Sequence, residues 1–388
     1  MIDINRNIES FSISNDPKDA SGCGIFGIFQ TKGDLVDGSV VVSAIDIMRD
    51  RGNGLGSGYA AYGIYPEFKN YYALHLMIDD DLAKRAVEDF LERRVMVAER
   101  SGIPTRGMKN RKRPMFFVYF VLPRAQGTKA ESEYMSETDA DEFINKLVFF
   151  INENINGAFV ISSGKNMGVF KGIGYPDEIA NFFRIERYKA FCWTAHNRFP
   201  TNTPGWWGGA HPFGLLDWTV VHNGEISSYG ANKRYLEMHG YKCTQKTDTE
   251  AIVYLADLIV RKHKIPIELL AKIFSAPLWE EIERMPQEQK KLYKALRIIY
   301  GRALLNGPFS ILLTFKGGIM ALNDRIKLRP LVVGQKDNTY YFSSEEAAIK
   351  YICRDVDSIG SPDAGEPVVV RLTNEAYNTY YGVEDEED

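Results

Sequence analysis

Short apolar runs and amphipathic segments alternate along the first half of the chain. Apolar runs bounded by glycine or turn residues predict buried strands, and apolar residues at helical spacing predict helices. Residues 59–65 and 71–78 are expected to pair as antiparallel strands, and 157–162 and 167–170 likewise. The predicted elements are strands at 24–29, 59–65, 71–78, 116–122, 157–162 and 167–170, with helices at 40–48, 80–100, 139–152 and 176–183.

The second half of the chain repeats this grouping of strands and helices. A loop rich in proline, glycine and tryptophan lies between the first two strands, and Pro286 is expected to break a long charged helical region. The predicted elements are strands at 191–195, 218–222, 309–315, 318–322, 331–334, 339–343 and 368–372, with helices at 247–263, 278–305 and 345–351. Blocks of antiparallel-type strands and blocks of helices favour an α+β layered fold over alternating βαβ units.

Composition is that of an ordinary globular protein. The chain has 388 residues, of which 45% are hydrophobic and 25% charged, and this excludes wholesale disorder. The longest uncharged apolar run, Met115–Leu122, is far shorter than the roughly 20 residues that a membrane span requires. No linker divides the chain. We therefore expect one domain at 23–380 with insertions near 80–150 and 265–305, preceded by a polar leader at 1–22.

Charge excludes nucleic acid as an expected partner. The net charge is −4, and the five acidic residues from Glu384 to Asp388 account for it, so the rest of the chain is close to neutral. The segment 381–388 is expected to be a solvated acidic tail. The basic loop at 105–114 could contact phosphate, but it lacks interleaved aromatic residues, which favours a solvated linker.

Four cysteines occur without metal-binding spacing, at positions 23, 192, 243 and 353. The absence of a signal peptide favours free thiols, no metal site and a cytoplasmic location. Cys23 differs from the others, because Gly22 and Gly24 flank it and a predicted strand follows. It is either a small buried residue at a strand start or a nucleophile that a substrate can approach closely.

Three further clusters combine polar groups with special backbone positions. Arg198 follows a strand end in a loop that prolines interrupt, where it could bind a carboxylate in bidentate fashion or form a structural ion pair. Asn223-Gly224 ends a strand and could supply two converging donors to an oxyanion, or form a type I′ turn. Thr247 to Glu250 has capping-box spacing, whereas Asp248 could instead pair with a substrate ammonium.

These clusters, in this order, resemble the class II glutamine amidotransferases. The stretches HNRFPTNTP at 196–204 and HNGEI at 222–226, with YGAN at 229–232, most resemble glutamate synthases. The likeness is greatest to the separately encoded amidotransferase subunit of archaeal-type glutamate synthases and related N-methylglutamate synthases. The stretches that carry the wider resemblance are CGIFGIF at 23–29, RDRGNG at 49–54, NRF at 197–199 with Thr201, AHPF at 210–213, HNGEI at 222–226, TDTE at 247–250, NDR at 323–325, RPL at 329–331 and SSE at 343–345.

The resemblance implies a fold and a reaction. The fold is the four-layer αββα sandwich of the amino-terminal-nucleophile (Ntn) hydrolases, with two antiparallel sheets flanked by helices. In the reaction, the thiol of Cys23 attacks the side-chain amide of glutamine, ammonia leaves, and water hydrolyses the γ-glutamyl thioester. The base is the α-amino group of the nucleophile itself, whose ordinary pKa of about 8 suits a base at neutral pH.

The same resemblance implies roles for individual residues. Asn223 Nδ2 and the Gly224 N–H would form the oxyanion hole, Arg198 would bind the α-carboxylate of glutamine, and Asp248 would bind its α-ammonium. Thr201 is expected to support that pocket. His211 and His222 are expected to order the loops of the pocket rather than to act as catalysts. Arg51 is expected near the nucleophile, and the resemblance does not define its role.

Cys23 departs from the simplest family pattern because it is not residue 2, and no methionine lies between Met1 and Cys23. Removal of the initiator methionine cannot expose its amine. We therefore predict that 1–22 is a propeptide, cleaved between Gly22 and Cys23.

The destination of the ammonia follows from the motifs in the sequence. Neither a CxxC cluster nor a GxGxxG loop after a strand is present. No cofactor is expected in this chain, and FMN and iron–sulfur clusters are expected on partner subunits of the glutamate synthase type that receive the ammonia. Two alternatives remain, a regulatory subunit that binds L-glutamine without turnover and an Ntn-type amidase that acts on another acyl group.

Overall fold

The computed structural model describes residues 22–108, 113–124, 136–199 and 205–382. All pairings among its strands are antiparallel. In chain order the strands are β1 (Gly24–Gln30), β2 (Val36–Asp37), β3 (Ser57–Tyr62), β4 (Tyr72–Ile78), β5 (Val95–Gly102), β6 (Met115–Pro123), β7 (Ala158–Ser162), β8 (Met167–Gly172), β9 (Lys189–Ala190), β10 (Cys192–Asn197), β11 (Phe213–Leu215), β12 (Trp218–Gly224), β13 (Phe309–Phe315), β14 (Gly318–Asn323), β15 (Val332–Lys336), β16 (Thr339–Ser343), β17 (Ser358–Gly360) and β18 (Val368–Arg371).

The helices that the structure describes lie between and outside these strands. A π-helical turn, Asp257–Lys262, directly extends α6. In chain order the α-helices are α1 (Gly38–Asp46), α2 (Asp81–Arg94), α3 (Glu137–Asn154), α4 (Pro176–Phe183), α5 (Tyr229–Met238), α6 (Asp248–Ala256), α7 (Ile267–Phe274), α8 (Trp279–Arg284), α9 (Gln287–Ile299), α10 (Glu346–Ile352) and α11 (Asn374–Tyr381).

Two antiparallel sheets face each other at the centre of the molecule. One has seven strands in the order β17-β15-β16-β1-β10-β3-β8, and the other has five in the order β11-β12-β13-β14-β18. Apolar side chains from both sheets form one core between them, including Phe29, Val169, Val221, Leu312 and Phe342. Strand β1 contributes to this core and to the outer face of its sheet, because successive side chains of a strand point to opposite faces.

Helices cover the outer face of each sheet. The seven-stranded sheet buries Phe26 and Trp193 against α1, α4 and α10. The five-stranded sheet buries Ile311 and Leu313 against α6 and α7. The order helix, sheet, sheet, helix confirms the α+β prediction of a four-layer αββα sandwich.

A third sheet lies beside this sandwich, in the order β5-β6-β4-β7. It includes much of the expected insertion near 80–150. One of its faces packs against α2 and α3 through Leu74 and Leu76. The other packs against α4 through Phe116. The second expected insertion, near 265–305, contains α7, α8 and α9, and α9 follows Pro286.

Two predicted strand pairings were wrong. The strand at 59–65 does not pair with the strand at 71–78, because β3 pairs with β10 and β8 while β4 pairs with β6 and β7. The strands at 157–162 and 167–170 also lie in different sheets, as β7 and β8. In both cases proximity in sequence favoured a hairpin, but both strands of each pair are largely buried and take partners from distant segments.

The helix predicted over 80–100 was also too long. Helix α2 ends at Arg94, and Val95–Gly102 forms strand β5 instead. Val95 and Val97 are β-branched, a residue type that favours strands, and they pair with Pro123 and Val121 of β6. Helices α5, α7 and α11 and the short strand β17 were not predicted as separate elements.

The fold places Cys23 at the end of a central strand. Residue 23 directly precedes β1, which is paired on one side with β10, where Gly24 faces Asn197, and on the other with β16, where Phe26 faces Ser343. Strand β12 of the facing sheet lies close to both β1 and β10. None of the helices in the described part of the chain is long and apolar enough to cross a membrane.

Candidate active site

A cavity of about 300 Å³ opens at the end of β1. This volume is at the lower end of the range for small-molecule sites. It gathers six residues expected from the sequence, which come from distant parts of the chain: Cys23, Arg198, His211, His222, Gly224 and Asp248. Its lining residues are Cys23, Arg198, Phe199, His211, His222, Gly224, Glu225, Ile226, Tyr229, Lys246, Thr247, Asp248 and Thr249.

Cys23 presents a protonated thiol to this cavity. The backbone N–H of Phe199 donates to Cys23 Sγ at 3.3 Å. Burial raises the pKa of Cys23, and this outweighs the opposing effects of the Phe199 N–H and of the Arg198 and Arg329 guanidinium groups. The thiol therefore needs a nearby base before it can act as a nucleophile.

Arg198 and Asp248 provide opposite charges in the cavity wall. Arg198 is 5% exposed and is fixed through its backbone N–H, which donates to the Gly56 carbonyl at 2.9 Å. Asp248 is the first residue of α6 and accepts from the Ile226 N–H through Oδ2 at 2.9 Å. Burial lowers the pKa of Arg198, while Cys23 and Asp248 act to raise it. The pair suits a ligand with a carboxylate and an ammonium.

Gly224 lines the cavity, whereas Asn223 lies behind the wall. Asn223 is fully buried, and its Nδ2 donates to Ser344 Oγ at 3.2 Å. Gly224 has a φ of +145°, and a Cβ at this position would lie 2.0 Å from the Pro308 carbonyl oxygen. Glycine is therefore required here by both backbone conformation and space. The turn follows β12 directly and is held by the Glu225 N–H, which donates to the same carbonyl at 3.0 Å.

Three buried histidines stack beside the cavity. The rings of His196 and His211 are 4.0 Å apart, and those of His211 and His222 are 6.5 Å apart. Burial lowers the pKa of His196 to about 3 and also lowers the pKa values of His211 and His222. All three imidazoles are therefore neutral at neutral pH. His211 and His222 line the cavity, and His196 lies behind them.

Arg51 and Arg329 surround the residues at the predicted cleavage point. Arg51 Nε donates to the Cys23 carbonyl at 3.2 Å, and its Nη1 forms an ion pair with Glu345 at 2.8 Å. A Cβ at Gly22 would lie 3.4 Å from Arg51 Nη2 and 3.6 Å from Arg329 Nη1. Arg51 is therefore beside the candidate nucleophile, as expected, although outside the cavity lining.

Sequence reasoning missed several residues at this site. Phe199 binds the thiol through a backbone N–H, which no sequence pattern reveals. Arg329 and Thr249 were visible only as parts of the motifs RPL and TDTE. Thr201, expected to support the pocket, lies outside the described residues, and so does the predicted leader up to residue 21.

Lys171 and Glu250 lie buried beneath the cavity. Lys171 is 1% exposed, and its Nζ donates to Gln245 Oε1 at 3.5 Å. Glu250 accepts from the Gln245 N–H at 3.0 Å and from the Lys246 N–H at 3.1 Å. Burial lowers the pKa of Lys171 to about 7 and raises that of Glu250 to about 7. Glu250 thereby folds the segment before Asp248 back onto α6.

No group of three or more histidine, cysteine, aspartate or glutamate side chains in the described ranges is arranged to hold a metal ion. The donor atoms around the cavity are instead suited to a small zwitterion.

Comparison with known proteins gives several matches. Residues 143–379 match the family model described as "Glutamine amidotransferases class-II". An uncharacterized protein of Archaeoglobus fulgidus is 50% identical over 359 residues, which cover 92% of this chain and 93% of that protein. A protein of Methanothermobacter thermautotrophicus, provisionally named a glutamine amidotransferase, is 24% identical over 90% of this chain and 100% of its own length.

A solved structure of the glutamine phosphoribosylpyrophosphate amidotransferase of B. subtilis is also similar. It is 14% identical, with a TM-score of 0.44, and the match covers 90% of this chain and 47% of that one. The family match covers well over half of the present chain. This chain belongs to the class II glutamine amidotransferases.

Proposed function

We propose that this chain hydrolyses L-glutamine to glutamate and ammonia through a thioester on Cys23. The observation that carries the proposal is the shared cavity of Cys23, Arg198 and Asp248. Two opposite charges can bind the α-carboxylate and the α-ammonium of an amino acid, so that its side-chain amide reaches the thiol. This favours glutamine over the N-acyl substrates of other Ntn-type amidases.

The protonated thiol requires a base, and the resemblance supplies one in the α-amino group of Cys23. That group exists only after cleavage between Gly22 and Cys23. The geometry around Gly22 supports cleavage there, because the carboxylate that it frees would face the guanidinium groups of Arg51 and Arg329. The Arg51 contact to the Cys23 carbonyl would keep the new terminus in place.

The oxyanion formed by attack on the amide would be stabilised by the Gly224 N–H and by Asn223 Nδ2. Ser344 Oγ holds Asn223 Nδ2 at 3.2 Å in the present structure. In our proposal Asn223 turns from Ser344 to the oxyanion when glutamine binds. His211 and His222 are neutral and stay in the pocket wall, without a part in proton transfer.

The ammonia is proposed to pass to a separate synthase subunit of the glutamate synthase type, with FMN and iron–sulfur clusters on that partner. The support is the resemblance of the stretches at 196–204, 222–226 and 229–232 to glutamate synthases. Copurification with such subunits, and glutamate formation from glutamine and 2-oxoglutarate only when they are present, would be the expected result. Equal glutamine hydrolysis with and without them, and no association, would contradict this part.

Labelling by a glutamine analogue that carries an electrophilic diazoketone tests the chemistry. Mass spectrometry should show one adduct, on Cys23 as the amino-terminal residue, and Cys23→Ala should abolish both the adduct and ammonia release. Cys353→Ala, which removes a buried thiol outside the cavity lining, should change neither. Active protein that retains residues 1–22, or glutamine binding without any ammonia release, would contradict the proposal. The second result would instead indicate a regulatory subunit.

A further inference from the structure

Thr249 connects the carboxylate of Asp248, the candidate partner of the substrate ammonium, with two buried imidazoles. It is the second residue of α6 and is fully buried. Its hydroxyl oxygen lies 3.2 Å from Asp248 Oδ1, 3.2 Å from His222 Nδ1 and 3.3 Å from His211 Nε2. A single hydroxyl therefore meets three side-chain partners, each from a different position in the cavity wall.

The number of protons available decides how these contacts are made. A hydroxyl has one proton and two lone pairs, and an ionised carboxylate only accepts. The Thr249 proton must therefore point to Asp248, and the Thr249 oxygen must accept from both imidazoles. It follows that His222 carries its proton on Nδ1 and His211 carries its proton on Nε2.

The third histidine of the stack is fixed in a similar way. His196 Nε2 lies 2.9 Å from the backbone carbonyl of His222, which can only accept, so His196 carries its proton on Nε2. The remaining imidazole nitrogens are then His196 Nδ1, His211 Nδ1 and His222 Nε2, each with a lone pair. Among the described residues, these are the nitrogens of the three rings that have no hydrogen-bond partner. The assignment thus accounts for every ring nitrogen.

We propose that Thr249 is a positioning residue of the glutamine pocket, which fixes the orientation of Asp248 and the tautomers of His211 and His222. The inference rests on the proposed function, because Asp248 is taken to receive the ammonium of glutamine. Thr249 holds Oδ1 and the Ile226 N–H holds Oδ2. Two donors on different residues fix the plane of the carboxylate and leave lone pairs for the substrate.

Replacement of the hydroxyl by a methyl group tests the proposal. Thr249→Val keeps the shape of the side chain but leaves Asp248 without one donor and two imidazole N–H groups without an acceptor. We expect KM for glutamine to rise about tenfold with kcat within about threefold, since the lost contacts orient the substrate rather than the reacting atoms. The matched control, Thr249→Ser, keeps the hydroxyl and should leave KM within about twofold.

The two variants also show how the proposal could fail. An unchanged KM in Thr249→Val would overturn it, and so would an equal rise in both variants, because the methyl group would then be the part that matters. A fall in kcat at unchanged KM would overturn it as well. Absence of glutaminase activity and of Cys23 labelling in the wild-type protein would instead overturn the proposed function.

Nitrogen NMR of ¹⁵N-histidine-labelled wild-type protein tests the tautomers without turnover. Of the three buried rings, His222 should give the Nδ1–H pattern, and His196 and His211 the Nε2–H pattern. Each signal can be assigned by its loss in a protein that lacks that histidine. An Nε2–H tautomer at His222, or a charged imidazole in the stack at pH 7, would overturn the proposal.

Discussion

Burial controls the chemistry of single residues around the cavity. It raises the pKa of the Cys23 thiol, lowers that of the His196 imidazole to about 3 and lowers that of Lys171 to about 7. In each case the low dielectric disfavours the charged form. The nearest histidines are therefore weak bases, which agrees with the proposed base at the chain terminus.

Glu250 makes the folded protein sensitive to pH. Its pKa is raised from 4.5 to about 7 by burial, so between these values the folded state holds a proton that the unfolded state has released. This contribution to stability is fully present below about pH 4.5 and declines as the pH rises through 7. At roughly 1.4 kcal/mol per tenfold change in proton affinity, about 3 kcal/mol is lost by pH 7.

Glu250→Gln should remove this decline. Thermal unfolding from pH 5 to pH 8 should show the variant gaining stability relative to wild type as the pH rises. Glu288 is the control, because its side chain on α9 is 88% exposed. The stability of Glu288→Gln should change with pH in the same way as that of the wild-type protein. If the stability of Glu250→Gln also changed with pH as in the wild-type protein, the buried carboxyl would not hold its proton.

Gly224 is the residue at which a single methyl group should do most damage. In Gly224→Ala the new Cβ would meet the Pro308 carbonyl oxygen at 2.0 Å, so the turn after β12 must move, together with the proposed oxyanion donor. We expect kcat for glutamine hydrolysis to fall about 100-fold, the scale of losing one such donor. Gly230→Ala is the control, because there the added Cβ meets only Arg234 Nη1, at 3.6 Å. Comparable kcat values in the two variants would contradict the role of Gly224.

At the scale of single elements, sequence signals identified the starts of helices better than their ends. Helix α2 begins within one residue of the predicted start at residue 80, where Asp80 Oδ1 accepts from the Ala83 N–H at 2.8 Å. Its end at Arg94 carries no comparable signal, because it depends on β5 pairing with β6, about 20 residues further along the chain. Pro286 acts locally as a break, and α9 begins directly after it. Local chemistry was therefore predictable, and pairing partners were not.

The cap of α2 can be tested by stability alone. Asp80→Ala removes the acceptor of the Ala83 N–H and should lower the free energy of unfolding by about 1 kcal/mol, as measured by urea denaturation. Asp89→Ala, on the exposed surface of the same helix, should leave it unchanged or slightly higher, because alanine is the better helix former. An equal loss in both variants would assign the effect to charge rather than to the cap.

At the scale of the whole molecule, the layers could be predicted and the third sheet could not. The four layers followed from the family resemblance, and the blocks of strands and helices along the chain had already favoured an α+β layered fold. The sheet containing β4 escaped prediction because β4 is buried along its whole length, so its pattern does not reveal which strands lie beside it. The cavity could be predicted in part. Cys23, Arg198 and Asp248 were identified as candidates from their motifs, but Phe199 and Thr249 gained significance only from their positions in space.

The central position of β1 has a consequence for the order of synthesis. Strand β1 is the first of the described strands to leave the ribosome, yet its partners β10 and β16 follow about 170 and 310 residues later. At 5–20 residues per second, β1 waits on the order of tens of seconds for its second partner. The site near Cys23 cannot assemble on a short nascent chain. Synthesis itself therefore delays assembly of the candidate site until nearly all of the surrounding fold exists.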